Sequence, residues 1–166
     1  MRSAHERTRH PTMKMLPGLA LLSMFVFGPG ARADLPRQPV KLADLPEAVR
    51  RTVLQQKGQA NIFRLEKTFL EGNEIYQLVL RTGLGKKTVL IDAGGRVLEI
   101  KQPMKLSEVS PAARNVIVSS VANGNILSLE SVKIASGIIA AYEVRFTKEG
   151  KQTELRIGPD GSLPQN

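Results

Sequence analysis

Cysteine and tryptophan are absent from the 166 residues, and the two histidines, His5 and His10, both lie in the first ten positions. Without cysteine there is neither a disulfide nor a thiol-linked lipid anchor, so packing alone must hold the chain together. Long apolar runs are missing too. The one candidate, residues 16 to 27, is interrupted by Pro17 and stops at Gly28-Pro29-Gly30, short of the about 20 apolar residues that a membrane-spanning helix needs.

That stretch reads instead as an export signal: a basic start at Lys14, the apolar run, and the small-x-small site Ala31-Arg32-Ala33, with cleavage expected after Ala33. Translation starts at Met1 or at Met13, where a basic start is already complete. Cleavage removes Arg2, Arg7, Arg9, Lys14, Arg32 and Glu6, so 24 Lys and Arg against 15 acids become 19 against 14 and the net charge falls from +9 to +5. It also removes both histidines. Ser-His-Asp and Cys-His nucleophilic sites, ordinary zinc sites and imidazole bases are thereby excluded, and neither a metal nor a cofactor is expected. The remaining bases are scattered among acids with few aromatics, which argues against nucleic acid and for a solvated basic surface with weak attraction to anionic surfaces.

Residues 34 to 41, with two prolines, read as an extended leader. A helix opens at Asp44 or Leu45, with Pro46 in its first turn, and runs to about Gln56; Leu45, Val49, Thr52 and Val53 form its inward face. Gly58 stops it. From Ala60 the period becomes two, giving strands from Ile62 to Leu70, Ile75 to Arg81 and Lys87 to Asp92, and a short fourth ending near Ile100. Gly83 and Gly85 turn between strands with no helix after them, so a phosphate-cradling role is the weaker reading.

The same unit then recurs. Leu42, Ala48, Arg50, Asn61, Ile62, Leu65 and Glu66 reappear 64 residues later as Leu106, Ala112, Arg114, Asn125, Ile126, Leu129 and Glu130. Past the first hairpin the offset is 66, matching Tyr76 with Tyr142, Ile91 with Ile157 and Gly95 with Gly161. Internal duplication accounts for this. The expected units are residues 42 to 100 and 106 to 164, joined by a linker at 101 to 105. The fold class is α+β: two tandem α-β-β-β(-β) repeats forming an antiparallel sheet with helices packed on one face. Tyr76, Leu78, Leu80, Val89 and Ile91 share the helix side, as do Tyr142, Val144, Phe146, Leu155 and Ile157. On the other side the second unit carries Glu143, Arg145, Glu154 and Arg156, a solvated set. The first carries Ile75, Val79 and Leu90, which is either a contact surface or a patch covered by the leader or the other unit.

The run Tyr76-x-Leu78-x-Leu80, a glycine turn, Val89-Leu90-Ile91-Asp92 and Gly95-Arg96-Val97-Leu98 resembles the end of a PepSY-like repeat. The opening Leu42-x-x-Leu45-Pro46-x-Ala48-Val49 is similar to the exported branch of that group. The second unit departs from the pattern where Gly158 matches Asp92 and Ser110 matches Pro46. The resemblance implies an antiparallel sheet with helices on one face and a relation to beta-lactamase-inhibitor-like proteins and to propeptides of secreted peptidases, which act by binding and not by catalysis.

These readings converge on a periplasmic or secreted binding module whose partner is another envelope or secreted protein, inhibitory or otherwise, with no stable membrane insertion after cleavage. Ile75, Val79 and Leu90 are its candidate binding face, and no catalytic residue is assigned. One alternative is an envelope structural or stress protein that binds anionic polymer through its positive charge. The other is an enzyme or small-ligand carrier built on the recurrent pair Glu66 and Glu130, which requires the two carboxylates to meet.

Overall fold

The computed structural model describes residues 36 to 164; the expected signal segment and its cleavage site at Ala31 and Ala33 lie outside the described residues. Eight strands follow one another in a single antiparallel meander, β1 (Gln38–Pro39), β2 (Asn61–Leu70), β3 (Asn73–Thr82), β4 (Gly85–Asp92), β5 (Val97–Pro103), β6 (Asn125–Ile134), β7 (Ile139–Lys148) and β8 (Lys151–Ile157), each bonded to its neighbours in sequence. Helix α1 (Glu47–Lys57) precedes β2, and α2 (Pro111–Val121) precedes β6. A 3-10 turn introduces each helix, Leu42–Asp44 before α1 and Leu106–Glu108 before α2. The chain thus reads turn, helix and three strands on either side of β5.

Sequence explains most of these boundaries. Glu47 in the first turn of α1 and Lys57 in the last lie favourably along its dipole. Gly58 closes the helix at φ 49°, its N–H bonded to the Leu54 carbonyl. The start differs from expectation: Asp44 belongs to the 3-10 turn and Pro46 is the cap itself, with extended ψ and no side-chain bond. A proline has no side-chain acceptor to offer there. In α2 the places shift by one: the Ser110 hydroxyl accepts from the Ala113 N–H at 3.4 Å, and Pro111 takes the first turn. The stretch expected as a linker is also partly strand, because β5 continues through Lys101 and Gln102 to pair with β6.

Two apolar cores lie on one side of the sheet. Leu45, Val49 and Val53 pack on Leu65, Tyr76, Leu78, Leu80, Val89 and Ile91. Val109, Ala113, Ile117 and Val121 pack on Leu129, Tyr142, Val144, Phe146 and Ile157. Apart from Leu65 and Leu129, the strand residues are those that the alternating pattern assigns to the helix side, and Leu155, assigned there too, is only partly buried against the second core. Each fully buried aliphatic contributes about 1.5–3 kcal/mol. Glycines set how closely the turns approach the helices. A Cβ on Gly95 (φ 84°) would lie 2.6 Å from the Ala48 carbonyl oxygen, and one on Gly161 (φ 85°) 3.2 Å from that of Ala112. The Thr52 hydroxyl donates to the Gly95 carbonyl at 2.6 Å. Ala48 with Gly95, and Ala112 with Gly161, are therefore the points where helix and turn backbones touch. Bulges interrupt the register between Ile62 and Arg64, Leu90 and Ile91, Ile126 and Ser128, and Val132 and Lys133, and bulges bend and twist the strands that carry them.

Candidate binding face

Both helices occupy one side of the sheet, and the other side carries no helix. Register and alternation place Glu66, Thr68, Ile75, Gln77, Val79, Thr88, Leu90, Glu99 and Lys101 on it in the first half of the chain. Val132, Ala141, Glu130, Glu143 and Arg156 continue it in the second half. Of the three residues proposed from sequence, Ile75 and Val79 are each only 4% exposed, whereas Leu90 is half-buried. Leu90 is thus the accessible one. Val132 and Ala141, buried on the same face, escaped the sequence reading because their alternation is broken by the bulge at Val132 and Lys133.

Charge on this face is organised differently in the two halves. Glu143 lies at the centre of the second half: its Oε2 accepts from Lys101 Nζ at 2.5 Å and its Oε1 from Arg156 Nη1 at 2.6 Å. All three side chains are largely buried, with 10, 12 and 19% exposed for Lys101, Glu143 and Arg156. The set expected to be solvated is therefore split into a packed ion-pair network and an exposed pair, Arg145 and Glu154. Burial raises the carboxyl of Glu130 above its ordinary range, and the facing Lys101 partly opposes the shift.

The first half leaves oxygens without partners. Glu66 Oε2, Thr68 Oγ1 and Glu99 Oε1 are buried and make no hydrogen bond among the described residues, and all three lie on the helix-free face. The other oxygen of Glu66 reaches only Arg64, at 3.6 Å. Buried acceptors are normally paired, because an unmade bond costs about 1–3 kcal/mol.

The paired chemistry proposed for Glu66 and Glu130 is not built. They stand on β2 and β6 with three strands between them, roughly 19 Å at about 4.8 Å per strand. A shallow, open hollow of ≈ 340 Å³ on the outer side of α2 is lined by Asn115, Val116, Ser119 and Ser120, none of them titratable. No cluster of three or more His, Cys, Asp or Glu suited to a metal occurs among the described residues, and no described helix is long and apolar enough to cross a membrane.

An α+β protein with an eight-stranded antiparallel meander and two helices on one face is an architecture with solved examples. The chain is similar to a DUF2874 family protein from Bacteroides ovatus, at 18% identity and a TM-score of 0.56 over 73% of this chain and 85% of that one. A proposed periplasmic protein from Bacteroides eggerthii is similar at 12% identity and 0.58 over 73% and 86%. A BLIP-like protein from Bacteroides fragilis is similar at 16% and 0.53 over 73% and 84%. At these identities the likeness shows a shared fold. No protein-family model and no curated protein matches the sequence.

Proposed function

We propose that this chain is an exported, non-catalytic binding protein of the cell envelope that engages another envelope or secreted protein with the helix-free face of its sheet. The carrying observation is that Glu66, Thr68 and Glu99 each hold a buried, unpartnered oxygen on that one face. All three are acceptors, so a partner that presents N–H groups or ammonium and guanidinium donors would satisfy them together, beside the apolar edge of Leu90. Envelope location is supported by the signal-like N-terminal segment and by the periplasmic description of the Bacteroides eggerthii neighbour. The recurrence of the PepSY-like pattern is read as one ancestral unit used twice.

The test is a crosslinking pull-down with residues 34 to 166 from the protein's own envelope fraction. Wild type is compared with Leu90→Lys on the face and with Val118→Lys on the outer side of α2, where Val118 is exposed. A discrete protein retained by wild type and by Val118→Lys, but lost with Leu90→Lys, is expected. Equal retention by all three, or none by wild type, overturns the reading. An inhibitory version, motivated by the BLIP-like neighbour, further expects the captured protein to be a hydrolase whose turnover falls on mixing.

A further inference from the structure

At the end of the sheet where β3 turns into β4, the helix-free face carries a cluster of cations around an aromatic ring. Phe63 is the bulged residue of β2 and is 39% exposed. Three cations gather on it: Lys86 Nζ lies 3.7 Å from the ring centroid, Arg81 Cζ 5.1 Å and Arg64 Cζ 5.7 Å. Arg81 and Lys86 are also direct cross-strand partners, and like charges in that position destabilise a strand pair. Among the described residues neither is in an ion pair, and Arg64 has only the 3.6 Å contact with Glu66. The turn from Thr82 to Gly85 lifts Leu84 beside them, 59% exposed.

The fold does not demand this arrangement. The second half makes the same bulge at Leu127 and puts Ser128, Thr147 and Gln152 where the first half has Arg64, Arg81 and Lys86. Its turn does hold two lysines one step further out, Lys148 opposite Lys151. Glu149 lies between them, however, and Lys148 donates to the Ser120 carbonyl. Only the first half joins unpaired cations to an exposed aromatic ring and an apolar tip.

We propose that this end of the sheet is a docking site for an anionic phospholipid surface. Cations alone would suffice for a soluble phosphate or an acidic peptide, which would leave Phe63 and Leu84 with nothing to bury against. A bilayer interface accepts both kinds of group: headgroup phosphates between Arg64, Arg81 and Lys86, and the acyl boundary for the ring and the leucine. The cation–π contacts hold the charges together and so prepay part of the cost of gathering them. Docking of this kind is peripheral and salt-dependent, and it uses the β3–β4 end of the helix-free face.

The experiment is co-flotation of residues 34 to 166, which contain every described element and both cores, with vesicles of equal parts phosphatidylglycerol and phosphatidylcholine, against phosphatidylcholine alone. Wild type should float with the anionic vesicles at low salt and be released at high salt. Arg81→Thr/Lys86→Gln, which borrows residues that the second half already uses, should bind about thirtyfold more weakly. Leu84→Ser should weaken binding at every salt concentration while keeping the salt slope. Lys148→Thr/Lys151→Gln, which removes the same charge from the other turn, should leave flotation unchanged. The proposal is overturned if wild type fails to float, if the two double variants lose binding equally, or if inorganic phosphate at constant ionic strength releases the protein. A protein partner lost from the pull-down with Arg81→Thr/Lys86→Gln, without vesicle binding by wild type, would assign the cluster to protein recognition instead.

Discussion

On the helix-free face, the positions matched by the 66-residue offset hold Gln77 and Leu90 in the first half and Glu143 and Arg156 in the second. Each pair is in direct cross-strand register. At this position the first half thus has an uncharged, partly apolar pair with unpartnered oxygens of Glu66, Thr68 and Glu99 beside it, and the second closes its surface with charges that satisfy one another through Lys101. Because the helix sides are packed in the same way, the difference cannot come from the needs of the core. One half of this face is internally complete, and the other keeps oxygens without hydrogen-bond partners among the described residues.

The largest expected effect comes from making the second half resemble the first. Glu143→Gln strips Lys101 and Arg156 of their shared carboxylate and should cost about 3 kcal/mol, since a partly buried charge left unpaired is worth more than the pair itself. Replacing the whole network, Lys101→Met/Glu143→Gln/Arg156→Leu, should recover most of that loss. Urea unfolding measures both, and equal losses in the two variants would show that the network acts through something other than mutual neutralisation.

Next in size is the contact between helix and turn. Gly95→Ala must push against the Ala48 backbone at 2.6 Å and adopt a positive φ, so a loss of about 2–3 kcal/mol is expected. Gly161→Ala meets Ala112 at 3.2 Å and should lose about 1 kcal/mol, mainly from backbone strain. If the order were reversed in thermal unfolding, close approach would not be what separates the two halves here.

The smallest effect concerns the matched tyrosines. Burial, reinforced by the bond from its hydroxyl to Glu74 Oε1, pushes the Tyr76 phenol up to about 12. The Tyr142 hydroxyl instead accepts from the Ser110 N–H at 3.3 Å. A raised phenol favours the folded state fully below the ordinary tyrosine range near 10, and that contribution is lost as pH climbs through 10 towards 12. Phenolate absorbance should therefore show late ionisation of Tyr76 in wild type, which Glu74→Gln moves to lower pH. No movement in that variant would remove Glu74 as a cause.

The periodicity of the strands and the recurrent Ala, Gly and Tyr positions made the helix side legible in sequence, because burial against a helix imposes strict alternation and small residues mark where backbones meet. The other side was harder to read. Val132 and Ala141 lie beside a bulge that breaks the alternation, and the 2.5 Å bond from Lys101 to Glu143 joins residues 42 apart on strands that do not pair with each other. Local patterning carries no signal for such a bond. Glu66 and Glu130 looked like a pair because they recur, but recurrence in a meander puts matched residues at matched places in different halves, which keeps them apart.

The strand order has a kinetic side. Among the described strands no crossover occurs, so every strand after β2 meets a partner made just before it, and of these strands only the two-residue β1 waits for a later one. Order of this kind keeps loop-closure costs low and favours rapid assembly. A chain emerging from a ribosome or a translocation pore could add its strands in the sequence in which they appear. Few long edges would then stay open to wrong partners while the rest of the protein is still to come.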